Sequence, residues 1–148
     1  MGSAEELKGM AERQELEAVE RSSTKASALI EDARRALATC RSIVGKDPKS
    51  AVLLAWDGVA FTTLTAALAL AGYRVTNRMG HHRAAVDASR YLLGEDALMS
   101  RIGSLRRMRD RGMYDMDPPD VNEITEALDD CEQLIQLVAR AVQRASTR

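Results

Sequence analysis

From Ala51 to Ala71 the chain is apolar except for Asp57 and three threonines, and it is rich in alanine. Its apolar residues fall on every side of a 3.6-residue period, so a helix over about Pro48–Arg74 is hydrophobic nearly all round. Such a helix must be covered on every side. Its length alone would permit a membrane span, but Asp57 and the modest hydrophobicity favour a core helix with the remaining helices wrapped around it. Asp57, the single charge, is expected deep within this core, where it would need a cationic partner.

The flanking segments supply that wrapping. Ser22-Ser-Thr24 is a helix start, and Ala26, Leu29, Ala33, Ala36, Cys40 and Ile43 then repeat at three and four. Gly45-Lys-Asp-Pro48 stops this helix, glycine past its end and proline beyond. Asn77-Arg-Met-Gly80 reads as a loop, His81-His82 opens a helix to about Leu93, and Gly94-Glu-Asp96 restarts the chain. After Pro118-Pro119, Asp120 and Glu123 form a capping-box pattern. The last helix carries Val121, Ile124, Leu128, Cys131, Ile135, Val138 and Val142, an unbroken three-four repeat. Residues 4–20 are expected to be helical with thinner anchoring by Leu7, Met10, Leu16 and Val19, which divides the chain into an arm (1–22) and a helical domain (23–148). Aromatic residues make up only 3% of the chain, no strand pattern is visible, and the expected fold is an all-α antiparallel bundle of about five or six helices.

The most chemically loaded stretch is Leu105-Arg-Arg-Met-Arg-Asp-Arg-Gly-Met-Tyr-Asp115. Leu98, Ile102 and Leu105 share one helix face. At roughly 100° per residue, Arg109 falls in the middle of that apolar stripe, while Arg107 and Arg111 fall opposite. An arginine aimed inward needs a partner, and Asp57 is the foremost candidate, with other arginines and His81 or His82 competing for it. Arg109, Asp110 and Tyr114 at one helix end have the groups to grip a phosphate oxygen and stack or hydrogen-bond a base. They lack a general base for neutral pH, since tyrosine titrates near 10.

Other chemistries find little support. A net charge of −1 gives no global basic field for nucleic acid, so such binding would rest on the arginine run. There is no Gly-rich phosphate loop, no nucleophile triad and no His-Glu-x-x-His motif. Adjacent histidines diverge by about 100° on a helix and make a poor metal pair, so neither a metal nor a cofactor is expected. The carboxylate pairs Glu31-Asp32 and Asp129-Asp130 read as solvent-facing. Cys40 and Cys131 each fall on an apolar stripe, as structural thiols of a reducing compartment do. With no signal peptide visible, a cytoplasmic location without a membrane role is the expectation.

Four stretches taken in order carry a resemblance: Ala33-Arg-Arg-Ala-Leu37, Ala55-Trp-Asp-Gly-Val-Ala-Phe61, Arg78-Met-Gly-His-His82 and, most specifically, Arg109-Asp-Arg-Gly-Met-Tyr-Asp115. From about Ser27 to Val142 the chain resembles the HEPN superfamily (higher eukaryotes and prokaryotes nucleotide-binding), small helical domains that commonly act as dimers. The last stretch is similar to the family's arginine, polar residue and closing histidine, in the form of a bacterial branch where tyrosine closes the motif. The resemblance implies Arg109 as the motif arginine, Asp110 as the polar residue and Tyr114 in the place of the histidine. It further implies two motifs meeting across a homodimer, an RNA or nucleotide ligand, and a nucleotidyltransferase antitoxin as a partner in a toxin–antitoxin or defence setting. Members with the complete motif are metal-independent ribonucleases; here the motif imidazole is missing.

Three functions follow. The first is a nucleotide- or RNA-associated domain with weak or no catalysis, in which Arg109 binds an anion, Asp110 and Asp57 orient it, and Tyr114 lines the groove. The second is an active endoribonuclease in which His81 or His82 replaces the lost histidine. The third is a non-catalytic dimerisation or scaffold bundle.

Overall fold

The apolar segment forms α3, Pro48–Ala71, at the centre of the molecule. Around it, in a computed structural model that describes residues 2–114 and 119–147 (the side chains of 113 and 114 excepted), the chain lays down α1 (Gly2–Glu12), β1 (Leu16–Ala18), α2 (Ser23–Ile43), β2 (Tyr73–Val75), α4 (His81–Leu93), α5 (Asp96–Tyr114) and α6 (Val121–Ser146). The fold is an all-α helical bundle with one small two-stranded ribbon. α3 is long and apolar enough to cross a membrane, yet 61% of its most apolar window is buried inside the protein. It is the core helix that its all-round hydrophobicity predicts.

Local chemistry sets the helix ends. The Ser22 hydroxyl accepts the Lys25 N–H at 3.0 Å, the Asp47 carboxylate accepts the Ser50 N–H with Pro48 in the first turn, and Asp120 accepts the Asn122 N–H at 2.9 Å. Each cap satisfies a donor that the first turn leaves without a partner. α2 and α6 pack on each other and on α3. The α6 repeat is buried as its spacing predicts from Ile124 to Val142, joined by Ala127 and Leu134, while Val121 stays partly exposed. In α2 the buried line runs Ala26, Ile30, Ala33, Leu37 and Cys40, so Leu29 and Ala36 flank the stripe instead of centring it. Trp56, Leu64, Met99, Ile102, Leu128 and Leu134 are fully buried, each contributing about 1.5–3 kcal/mol on removal from water.

The strandless expectation is corrected at one edge. The helix expected over residues 4–20 stops at Glu12; the chain turns at Gln14, whose φ is 64°, and Leu16–Ala18 pairs antiparallel with Tyr73–Val75. The second helix boundary moves for a related reason: Gly72 takes φ 86° as a left-handed cap, a conformation glycine reaches without steric cost, and ends α3 before Arg74. In the ribbon Leu16 is buried, while Glu17 and Arg74 meet on its outer face at 2.8 Å. A three-residue strand is too short for alternation to stand out from helical spacing. Leu7, Met10 and Leu16 close a second apolar cluster with Leu68, Ala84 and Ala88, so the N-terminal residues are packed on α3 and α4.

Candidate functional site

The site grows from an irregularity in α3. Between Ala55 and Ala60 the helix widens to a π turn, and the Phe61 N–H bonds the Trp56 carbonyl five residues back. Such turns carry one extra residue and are frequent at functional sites. Gly58 lets this turn lie close to its surroundings: a Cβ there would stand 2.7 Å from the Leu54 Cδ1 and 3.2 Å from the Ala36 Cβ. The turn points successive groups to different neighbours. The Ala55 carbonyl is approached by the Cys131 Sγ at 3.9 Å, Trp56 Nε1 donates to His82 Nδ1 at 3.0 Å, and Asp57 receives Arg109 at 3.4 Å.

Arg109 occupies the position that its helical phase predicts. Its side chain is only 20% exposed, and Nη2 lies 3.4 Å from the Asp57 Oδ2 while Nη1 lies 3.3 Å from the Asp110 Oδ1. Arg107 and Arg111 are exposed. Asp57 corrects an expectation: its side chain is 49% exposed, because it sits at the rim where α3 meets α5 and not deep in the core. Both Arg109 contacts exceed the 2.7–2.9 Å of tight charge-assisted bonds, and the buried Arg109 Nε has no acceptor among the described residues. The guanidinium is therefore held in place but not saturated. Arg106, which the sequence pattern did not single out, braces the other Asp110 oxygen at 3.2 Å.

His81 and His82 stack edge to face with centroids 4.3 Å apart, beside Phe61, whose ring lies 4.7 Å from that of His82. Gly80, at φ 85°, sets the start of their helix. Their hydrogen bonds assign opposite tautomers. An indole N–H can only donate, so Trp56 makes His82 Nδ1 an acceptor and leaves the proton of the neutral ring on Nε2. A carbonyl can only accept, so His81 Nδ1 is the donor in its 3.0 Å contact with the Arg78 oxygen, and in the uncharged form of that ring the lone pair is on Nε2. Burial first, then the charges of His81 and Arg109, hold the His82 imidazole below its ordinary range, against the opposing pull of Asp57 and Asp110. Protonating His82 would also set two N–H groups against each other at the Trp56 contact. At neutral pH this ring is an uncharged donor.

Five of the six residues expected at the site, Asp57, His81, His82, Arg109 and Asp110, thus converge on one rim. The sixth, Tyr114, closes α5; its side chain and the acidic turn to Pro118 lie outside the described residues. Sequence reasoning missed Trp56 as the group that fixes His82, although a lone tryptophan beside the lone charge of α3 was the available signal. The other acidic pairs are engaged at the surface: Glu31 with Arg34 at 2.7 Å, Asp32 with Arg35, Asp129 with Arg41 at 3.1 Å and Asp130 with Arg101 at 2.9 Å. Cys40 and Cys131 are free and buried. No cluster of three metal-ligating side chains occurs among the described residues. Compared with known proteins, the chain matches no family model, no curated protein and no solved structure.

Proposed function

We propose that this chain is a HEPN-like, nucleotide- or RNA-associated domain with weak or no catalysis, in which Arg109 is the anion-binding group. The observation that carries the reading is the unsaturated Arg109 fork, loosely held by Asp57 and Asp110 at 3.4 and 3.3 Å beside a neutral His82. A phosphate oxygen offers Arg109 shorter bonds than either carboxylate does, and the His82 Nε2–H is a second, uncharged donor. What supports weak catalysis is that His82 cannot serve as a base through Nε2 while Trp56 occupies Nδ1. In this reading two copies meet across the Arg109 rim, and Tyr114 closes the motif.

The endoribonuclease alternative rests on His81. Its Nε2 lone pair is free to take a proton from a ribose 2′-hydroxyl, the resulting alkoxide would attack the adjacent phosphorus, and the imidazolium would return the proton to the departing 5′-oxygen. Arg109 would stabilise the charge gathering on the phosphoryl oxygens.

RNA binding and cleavage in chelator by the wild type, Arg109→Ala, His81→Ala and Tyr114→His, with thermal melts of each, separate these readings. Salt-sensitive binding that Arg109→Ala loses while remaining folded is expected. Cleavage by the wild type that His81→Ala abolishes would select the enzyme. An Arg109→Ala protein that binds RNA as the wild type does would take Arg109 out of the site and make it a strut, and a wild type that neither binds nor cleaves would leave the bundle a scaffold.

A further inference from the structure

A second basic feature lies beside this site. A groove of about 410 Å³ runs between α4 and α5, with Arg83, Asp87 and Arg90 on one wall and Gly103, Arg106 and Arg107 among the residues of the other. The spacing explains the convergence: positions 83, 87 and 90 share one face of α4, and 103 and 107 share one face of α5. Among the described residues the lining holds four arginines and one carboxylate, Asp87, and of the four only Arg106 has a further carboxylate, Asp110, in a chain whose net charge is −1. The lining carboxylate neutralises little, since Asp87 stands 3.8 Å from an Arg83 side chain that is 76% exposed. Among the described residues Arg107 reaches the Ser104 hydroxyl, at 3.0 Å, and no carboxylate. The Arg90 Nε is buried with no acceptor among the described residues. Gly103 keeps the floor low, its nearest neighbours to a notional Cβ being Arg107 Nη1 at 3.6 Å and Val86 Cγ1 at 4.0 Å.

Like charges do not gather without cost, and an unsatisfied buried guanidinium nitrogen adds to it. A polyanion in the groove offsets the first of these penalties. The groove is also tied to the rim already described: Arg106 bonds Asp110, which bonds Arg109. We infer that the α4–α5 groove is a phosphodiester track that holds the backbone of a single RNA strand by Arg83, Arg90, Arg106 and Arg107 and leads it to the Arg109–His82 rim. The inference rests on the RNA reading above and extends it from one anion site to a strand path. Its specificity is for backbone charge, not for base sequence.

The test is fluorescence anisotropy of a labelled single-stranded RNA across a salt series, on the wild type, an Arg90→Gln/Arg107→Gln double variant, Arg35→Gln on α2, and Arg109→Ala, each checked by thermal melt. Each phosphate contact contributes about 0.7 to the log–log salt slope for a single strand. The double variant is expected to lose about 1.4 of slope and about tenfold in affinity at low salt, whereas Arg35→Gln should match the wild type. Unchanged binding by the double variant, with binding lost in Arg109→Ala, would overturn the groove and leave the RNA reading standing. Equal losses in Arg35→Gln and the double variant would reduce the groove to general surface charge. A wild type that binds no RNA at low salt would overturn both.

Discussion

Two neighbourhoods meet the same six-residue π turn of α3 and treat it in opposite ways. On one side the turn faces Cys131, and nearby Ala51 gives its carbonyl to Cys40, in a dry seam between α2 and α6. On the other it faces Arg109 and the histidines at a rim where Asp57 is half exposed. In the seam burial pushes the Cys40 thiol up to about 11 and raises Cys131 further; at the rim burial pushes His82 down. Both shifts favour the uncharged form, as desolvation must. The difference lies in where charge sits: the seam thiols are uncharged and feel Arg41 and Asp130 only from the surface, whereas at the rim Arg109 and Asp57 pair directly where water still reaches.

The hardest blow to both sides at once is Trp56→Ala. The ring is fully buried, so its loss should cost about 3–5 kcal/mol, seen in denaturant melts, and should free His82 to titrate closer to its ordinary value. A cost below about 1 kcal/mol would mean that the turn is held from elsewhere. The seam is sharpened by alkylation: native Cys40 and Cys131 should react with iodoacetamide at pH 8 about a hundredfold more slowly than in denaturant. Matching rates would show that the seam is wet. Arg109→Ala tests the rim and should destabilise by about 1 kcal/mol, since Asp57 is half exposed and retains solvent on losing its partner; a loss of several would make Arg109 part of the core. The gentlest probe is pH. His82 binds its proton more weakly folded than unfolded, so the stability it confers is complete above pH 6.5 and is lost as pH falls through its lowered folded value. Melts between pH 7.5 and 5.5 should show this decline, and His82→Gln should flatten it.

Much of the bundle could be read from periodicity, because α6 and α3 bury what their spacing says they must. Arg109 was legible for the same reason: three apolar residues set the phase of α5, and the fourth position on that stripe was charged. Its pairing with Asp57 then followed from the cost of leaving either alone. What stayed hidden depends on contacts between distant segments. The β1–β2 ribbon joins residues 16–18 to 73–75, and neither strand is long enough to declare itself. The exposure of Asp57 and the Trp56–His82 bond depend on how α3 is wound locally, which composition does not encode. The groove needs two helices side by side, and Arg83 and Arg90 look like ordinary surface arginines until α5 brings Arg106 and Arg107 opposite them.

The π turn makes this rim a matter of length as much as of residue identity. A π turn holds one residue more than the α turn it replaces, so a chain lacking one residue within Ala55–Ala60 could still wind an unbroken helix between the same ends. The two flanking halves of α3 would keep their phase, but the turn would have one residue fewer to share among its neighbours, and the indole, the carboxylate and the Ala55 carbonyl could no longer all keep their partners. The seam could survive such a slip while the rim lost its alignment, which a His82 titration returned to its ordinary range in an otherwise folded protein would reveal. A site organised in this way tolerates exchange of side chains better than it tolerates a codon gained or lost.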